Sequence, residues 1–225
     1  MIKIFIGFDA VESVAYHTLC HSILSRASVP VDFIPIKRSM LKSIHDREID
    51  EKQSNEFSFT RFLVPFLCDY KGYAIFMDCD MLVLDDIKKL WDLKDWNKSI
   101  QVVKHDYTPK DSIKYLGTKQ HPYPKKNWSS VMLFNCSHYH CKHLTPDFVN
   151  RATGLDLHQF KWTDEDLIGS LPKEWNHLVG EYEENPDAKL VHFTVGGPYF
   201  HEYEECEFSE EWFIERKLMM NCNQR

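Results

Sequence analysis

Ile75-Phe76-Met77-Asp78-Cys79-Asp80-Met81-Leu82-Val83-Leu84-Asp85 decides how this chain is read. The apolar run opens shortly after Gly72 and is interrupted by two carboxylates one residue apart. In an extended backbone, side chains at i and i+2 point the same way. Asp78 and Asp80 at a strand end can therefore close on one hard cation with oxygen ligands. The carboxyl end of a strand is also where open α/β sheets bind ligands. Spacing alone leaves two readings: a metal site for a phosphate-bearing substrate, or a solvated strand end with one acid capping the next helix. The apolar surroundings favour the first, because an unpaired buried carboxylate is costly and a cation would neutralise it.

Outward from this stretch the pattern alternates. Met1–Phe8 reads as a strand ending in Gly7-Phe8-Asp9, and Glu12–Ser25 as a helix capped by Glu12-Ser13. Val31–Ile36 reads as a strand with Pro35 marking an edge. Phe59–Asp69 reads as a helix that Pro65 would kink, Tyr73–Met77 as the acid-bearing strand and Ile87–Asp92 as a short helix. Such alternation predicts a parallel sheet with helical crossovers. Beyond residue 100, strands are expected at Ile100–Val103, Val131–Phe134 and Leu190–Phe193. Helices are expected at Asp164–Leu171 and Glu210–Met220, and a polar loop at Thr108–Lys126. The 225 residues suit a single α/β domain, with residues 1–100 as its nucleotide-binding half and 101–225 as its acceptor or sugar half.

Lys plus Arg number 27 against 34 Asp plus Glu, a net charge of −7 that excludes a broad nucleic-acid footprint. An anionic substrate then needs local positive charge, which a divalent cation supplies. No run of about 18 apolar residues predicts a transmembrane segment. Seven cysteines, an odd number without a framework, point to a reducing, cytoplasmic location. Late in the chain, Leu190-Val191-His192-Phe193-Thr194-Val195-Gly196-Gly197-Pro198 offers an imidazole at a strand end before a glycine turn. His192 is a candidate third ligand, and the glycines would let backbone N–H groups approach a phosphate.

Together these segments resemble nucleotide-sugar-dependent glycosyltransferases of the GT-A fold, most closely the family-8-like group. The resemblance rests on five segments in order. They are Ser58-Phe59-Thr60-Arg61-Phe62, the Asp78-Cys79-Asp80 strand, Asn127–Asn135, Thr163-Asp164-Glu165-Asp166-Leu167 and His192-Phe193. It implies a Rossmann-like mixed sheet flanked by helices, and transfer of a sugar from a nucleotide donor, a UDP-sugar, to a carbohydrate or glycolipid acceptor. A lipid-linked acceptor would place the protein at a membrane surface. The acceptor pocket would be built by Asp106–Asn127 and the C-terminal segment.

Asp80 and His192 would ligate the metal, with Asp78 sharing it or reaching the ribose and sugar. Phe8 and Asp9 would hold the nucleoside, and Arg61 would face the donor's sugar or diphosphate. Cys79 would lie against the donor, and Asn127, Trp128 and Ser129 would line the sugar pocket. Gly196 and Gly197 would help bind the diphosphate. A mixed oxygen–imidazole shell favours Mn2+ over Mg2+.

Two departures stand out. Gly197 occupies a place where the group usually carries lysine, so that phosphate contact is lost or comes from Lys89, Lys125 or Lys126. Glu165 stands where glutamine is usual, which makes Asp164 and Glu165 candidates for a general base or a nucleophile. Thr163 and Asp166 would form a capping box.

The Cys136–His143 segment fits no zinc spacing, and His17 and His21 lack the glutamate of a zinc protease. A nucleotidyltransferase would want a glycine-rich, basic loop after the first strand, and Phe8–Ala15 provides none. A catalytically dead sugar-binding module would have no need of the intact Asp78, Asp80 and His192 set.

Overall fold

The computed structural model describes residues 1–49, 53, 55–110, 115–117 and 123–221. A six-stranded mixed sheet is built from β1 (Ile2–Gly7), β2 (Val31–Ile36), β3 (Tyr73–Met77), β5 (Ile100–Val102), β6 (Val131–Asn135) and β7 (Ile168–Ser170). Their spatial order is β2-β1-β3-β6-β5-β7. In the parallel half, β2-β1-β3, β3 and most of β1 are buried and read as near-continuous apolar sequence, whereas the edge strand β2 is half-buried. β6 runs antiparallel to both β3 and β5, which puts Val131 beside Met77 and Asn135 beside Tyr73. A smaller sheet holds β4 (Met81–Val83), β8 (His177–Leu178) and β9 (Leu190–His192), with β9 central.

The helices are α1 (Ser13–Arg26), α2 (Val64–Leu67), α3 (Ile87–Trp91), α4 (Pro146–Arg151), α5 (Gly154–His158) and α6 (Ser209–Met220). Most buried apolar side chains form one core around the large sheet. Leu82, Val179, Ala188, Val191, Phe193 and Trp212 form a second. Alternation along β4 sends Met81 and Val83 to the large core and Leu82 to the small one. β4 is the seam between them.

Several sequence expectations need correction. The helix foreseen over Phe59–Asp69 is a 3-10 turn, Thr60–Leu63, followed by the single turn of α2. Pro65 lies in the first turn of α2, where a missing N–H costs nothing, so it starts the helix rather than kinking it. The helix foreseen over Asp164–Leu171 is a 3-10 turn, Glu165–Leu167, leading into β7. A Cβ on Gly169 would lie 2.7 Å from Gln101 Cγ, so glycine there permits close packing against β5. Glu12 is the N-cap residue of α1 but its side chain does not cap; its carboxylate accepts from Tyr199 Oη at 2.5 Å. Thr163 and Asp166 form no capping box, because the Thr163 hydroxyl bonds Ser99 Oγ at 2.8 Å. No described helix is long and apolar enough to cross a membrane. The expected loop at Thr108–Lys126 lies partly outside the described residues.

Candidate metal centre and donor site

Asp78 directly follows β3, Asp80 directly precedes β4, and Cys79 lies on the bend between them. The carboxylates converge because the chain changes sheets here, not because they share one face of a continuous strand. Antiparallel pairing of β4 with β9 sets Met81 opposite His192, and the Phe193 N–H donates to the Asp80 carbonyl at 2.9 Å. The imidazole is thereby delivered to the acids from more than a hundred residues away. One ligand atom each from Asp78, Asp80 and His192 lies within 4.8 Å of the others, and all three residues are buried. Among the described residues, no other His, Cys, Asp or Glu trio converges in this way.

The donor set suits a divalent cation, and the hydrogen bonds behind it explain why. Ser130 Oγ donates to the Asn127 carbonyl at 2.7 Å, so it must accept from Asn176 Nδ2 at 2.8 Å. That fixes the Asn176 amide, whose Oδ1 then faces His192 Nδ1 at 3.2 Å. An amide oxygen can only accept, so His192 Nδ1 carries the hydrogen. Its Nε2 faces Asp80 Oδ2 at 3.3 Å. In the neutral imidazole that edge is a lone pair aimed at a carboxylate, an arrangement that calls for a proton or a cation between them.

Arg61 is almost wholly buried and contacts Asp78 Oδ1 through Nη1 at 2.7 Å. The same Nη1 donates to the Ser129 carbonyl at 2.9 Å, and the guanidinium lies 5.1 Å from the ring centroids of both Phe57 and Phe76. Burial pushes the Asp78 carboxyl up to about 6, against the downward pull of Arg61. Arg61 is thus engaged with Asp78 and with backbone, where the sequence reading aimed it at the donor.

The remaining sequence candidates divide into groups. Asn127, at φ 61, donates from Nδ2 to Tyr107 Oη at 2.7 Å and to Thr194 Oγ1 at 3.0 Å, which ties it to the His192 segment. The Trp128 indole N–H donates to the His105 carbonyl at 2.7 Å, and Ser129 Oγ bonds His158 Nδ1 at 2.7 Å. Cys79 is fully buried; burial first, and then the carboxylates of Glu12, Asp80, Asp78 and Asp9, hold its thiol well above the ordinary range. Asp9 gives its two oxygens to the N–H groups of Val11 and Glu56, at 3.0 and 3.1 Å. Phe8 lies edge-on to Tyr16, with Lys37 Nζ 4.9 Å from its ring centre. Gly196 and Gly197 face the chain's own aromatics: added Cβ atoms would come within 2.4 Å of the Tyr203 ring and 2.2 Å of the Tyr199 ring. Those glycines make room for tyrosines on the side where a Cβ would stand.

Asp164 and Glu165 are not brought to the three-ligand cluster. The sheet register sets Ile168, the start of β7, level with Ile100, Phe134 and Ala74, on the edge strand and toward the end away from Asp78. Asp164 is exposed, 3.7 Å from His140 Nε2, and Glu165 is exposed and paired with Lys125 at 2.5 Å. Lys89 pairs with Asp85, and Lys126 is buried with its Nζ 5.3 Å from the Tyr123 ring centre.

Sequence reasoning missed Asn176, Ser130, Thr194 and Tyr107, all of which hold this site together. No sequence signal marked Asn176, whose full burial between Trp175 and β8 shows only in the structure.

A family model for glycosyl transferase family 8 matches residues 21–196. Protein CDI of Arabidopsis thaliana is 47% identical over 220 residues, covering 95% of this chain and 85% of that protein. The solved apo structure of the bifunctional glycosyltransferase WbbM superposes with a TM-score of 0.69 at 14% identity, covering 96% of this chain and 49% of WbbM. Apo GlyE of Streptococcus pneumoniae gives 0.62 at 13% identity, over 97% of this chain and 61% of GlyE. The chain therefore spans about half to three-fifths of those two proteins. Galactosyltransferase LgtC, solved with donor and acceptor sugar analogues, gives 0.59 at 9% identity, over 99% of this chain and 98% of LgtC. At such identities the structural likeness speaks for the fold. The family-model match and the 47% identical relative place the chain itself: it belongs to glycosyl transferase family 8, and is a glycosyltransferase of the GT-A fold.

Proposed function

We propose that the chain moves a sugar from a nucleotide-diphosphate sugar, with UDP-sugars as the donor class, to a carbohydrate or glycolipid acceptor. We assign Asp78, Asp80 and His192 as the holders of Mn2+, or of Mg2+ in its place. The observation that carries this reading is the convergence of two buried carboxylates and one imidazole within 4.8 Å at the junction of the two sheets. When bound, the cation stabilises the negative charge that appears on the diphosphate as the sugar leaves. The chain's own residues supply the rest. Arg61 keeps Asp78 ionised in a buried setting, Asn176 presents the His192 lone pair, and Asn127 holds the turn that carries Trp128 and Ser129 beside the acids. Mixed oxygen and nitrogen ligands favour Mn2+.

Calorimetry with UDP, GDP and CDP, with and without Mn2+, tests the donor class. Binding of UDP only in the presence of the metal is expected, and absence of heat with every nucleotide would sink the proposal. Asp80→Asn should remove metal binding while leaving the fold intact. A nucleotidyltransferase reading is disfavoured because Phe8–Ala15, the loop and helix start after β1, holds no glycine and no basic residue. Donor hydrolysis separates an active enzyme from a sugar-binding module, and NMR of the product's anomeric centre separates retention from inversion.

A further inference from the structure

We infer that Asn176 is the positioning residue of this site: it locks the tautomer of His192 and links the candidate metal ligand to the Asn127 turn. The inference rests on the metal reading for its consequence, but its core, the tautomer, belongs to the protein without any ion. Asn176 is fully buried at the end of the 3-10 turn Lys173–Trp175, just before β8. Its amide has two neighbours of opposite character. Ser130 Oγ has committed its proton to the Asn127 carbonyl at 2.7 Å, and so can only accept from Nδ2 at 2.8 Å. Oδ1 is left for His192 Nδ1 at 3.2 Å. Reversing the amide would set its NH2 group against a ring nitrogen and its oxygen against a hydroxyl oxygen whose hydrogen is already spent.

The chain of donors thus runs in one direction, from His192 through Asn176 and Ser130 to the backbone of Asn127. Asn127 in turn reaches back to Thr194, two residues beyond His192, at 3.0 Å. The loop closes on itself. A shift of the Asn127 turn is therefore felt at His192, and the reverse, without any direct contact between the two side chains. The imidazole has no freedom to present Nδ1 to the acids, and Nε2 is the only nitrogen on offer at the Asp80 edge, 3.3 Å from Oδ2. Partners of this kind behind a metal-binding histidine set both ring orientation and basicity.

Three variants isolate the claim: Asn176→Leu removes the acceptor, Asn176→Asp restores one, and Ser130→Ala frees the amide to turn. The direct readout is nitrogen-15 NMR of the side-chain histidine resonances in the metal-free protein, with His192 assigned by its loss in His192→Gln. Wild type should show His192 hydrogenated at Nδ1, with Nε2 the nitrogen turned to the acids. Asn176→Asp should keep that pattern, while Asn176→Leu and Ser130→Ala should admit the other tautomer. Mn2+ affinity, followed by electron paramagnetic resonance, should weaken about 10–100-fold in Asn176→Leu, as when such a partner is lost, and recover in Asn176→Asp. A wild-type His192 bare at Nδ1 would overturn the inference outright. So would unchanged Mn2+ affinity in a folded Asn176→Leu. If wild type keeps the Nδ1 tautomer and binds no Mn2+, the metal reading falls and the positioning role stands. If Asn176→Leu does not fold, the wild-type spectrum and Ser130→Ala still decide it.

Discussion

Replacing Arg61 with methionine separates two jobs a buried arginine could do here: binding the donor or sustaining the charge on Asp78. Arg61 Nη1 lies 2.7 Å from Asp78 Oδ1, and both residues are nearly excluded from solvent. Losing one partner of such a pair ordinarily costs about 3–5 kcal/mol, because the other charge is stranded. Asp78 can limit that cost by taking a proton. Its carboxyl stands at about 6 with the guanidinium present, and removing that pull raises it further. If the rise is about two units, the variant regains about 1–2 kcal/mol between pH 7.5 and pH 6, where wild type gains much less. The sign follows from linkage: a carboxyl raised above its unfolded value contributes stability at low pH and loses it as pH rises. Asp78→Asn removes the stranded charge, so Arg61→Met in that background should cost less, with a coupling of about 1–3 kcal/mol. Urea unfolding of the metal-free proteins at both pH values measures every term. Additive single variants, with no narrowing of the Arg61→Met deficit at pH 6, would refute the counter-charge role and return Arg61 to the donor.

Other consequences concern acid, crowding and the exposed acids. Burial lowers the His105 and His158 imidazoles to about 3. Both are then neutral in the native protein, while the unfolded chain binds their protons below about 6.5. Their stabilisation is complete above that value and is lost as pH falls toward 3, at about 1.4 kcal/mol per pH unit for each. Asp78 offsets part of this below about 6. His105→Gln should flatten the decline between pH 6.5 and pH 5, and an unaltered slope would remove His105 from the account. Gly197→Ala drives a methyl to 2.2 Å from the Tyr199 ring, which Glu12 and Trp212 hold in place. A thermal-melt loss equivalent to about 1–3 kcal/mol is expected, relieved by Tyr199→Ala, and a neutral result would mean that the ring moves aside. Asp164→Asn and Glu165→Gln should leave Mn2+ affinity unchanged and turnover largely intact. A loss of about 10²–10⁴-fold, the range for a general acid or base, would assign them the catalytic role the sequence suggested.

What sequence could show depended on whether its pattern and the fold used the same interaction. Ile2–Gly7, apart from the exposed Lys3, and Tyr73–Met77 are legible because buried parallel strands are near-continuously apolar. Glu165 to Ser170 was misread because an acid-rich start followed by Leu167-Ile168 imitates a helix N-terminus. The decisive constraint, packing of Gly169 against Gln101, comes from a strand far away in sequence. β4 was hidden because Met81–Val83 continues the apolar run of β3, so the change of sheet leaves no mark in composition. Asp78, Asp80 and His192 were found from their residue types, yet the reason they meet is the bend at Cys79 and the β4–β9 register. Asn176 was invisible for a related reason. Its partners are 46 residues before it and 16 after, and no periodicity connects them.

The electrostatics of the donor site follow from how each of its acids is answered. Asp9, Glu12, Asp78 and Asp80 all act on the buried Cys79 thiol, which marks them as neighbours in a chain already carrying a net charge of −7. Asp9 is answered by two backbone N–H groups, Glu12 by the Tyr199 hydroxyl and Asp78 by the Arg61 guanidinium. Asp80 faces the near nitrogen of an imidazole whose far nitrogen donates to Asn176. One ligand atom from each side of the Asp80–His192 edge lies within 4.8 Å of one on Asp78. The two sheets must be in register for that edge to exist, since Asp78 directly follows β3 of the large sheet and His192 ends β9 of the small one. A cation there would close the seam between them, so metal affinity and the docking of the small sheet on the large one are two measures of the same contact.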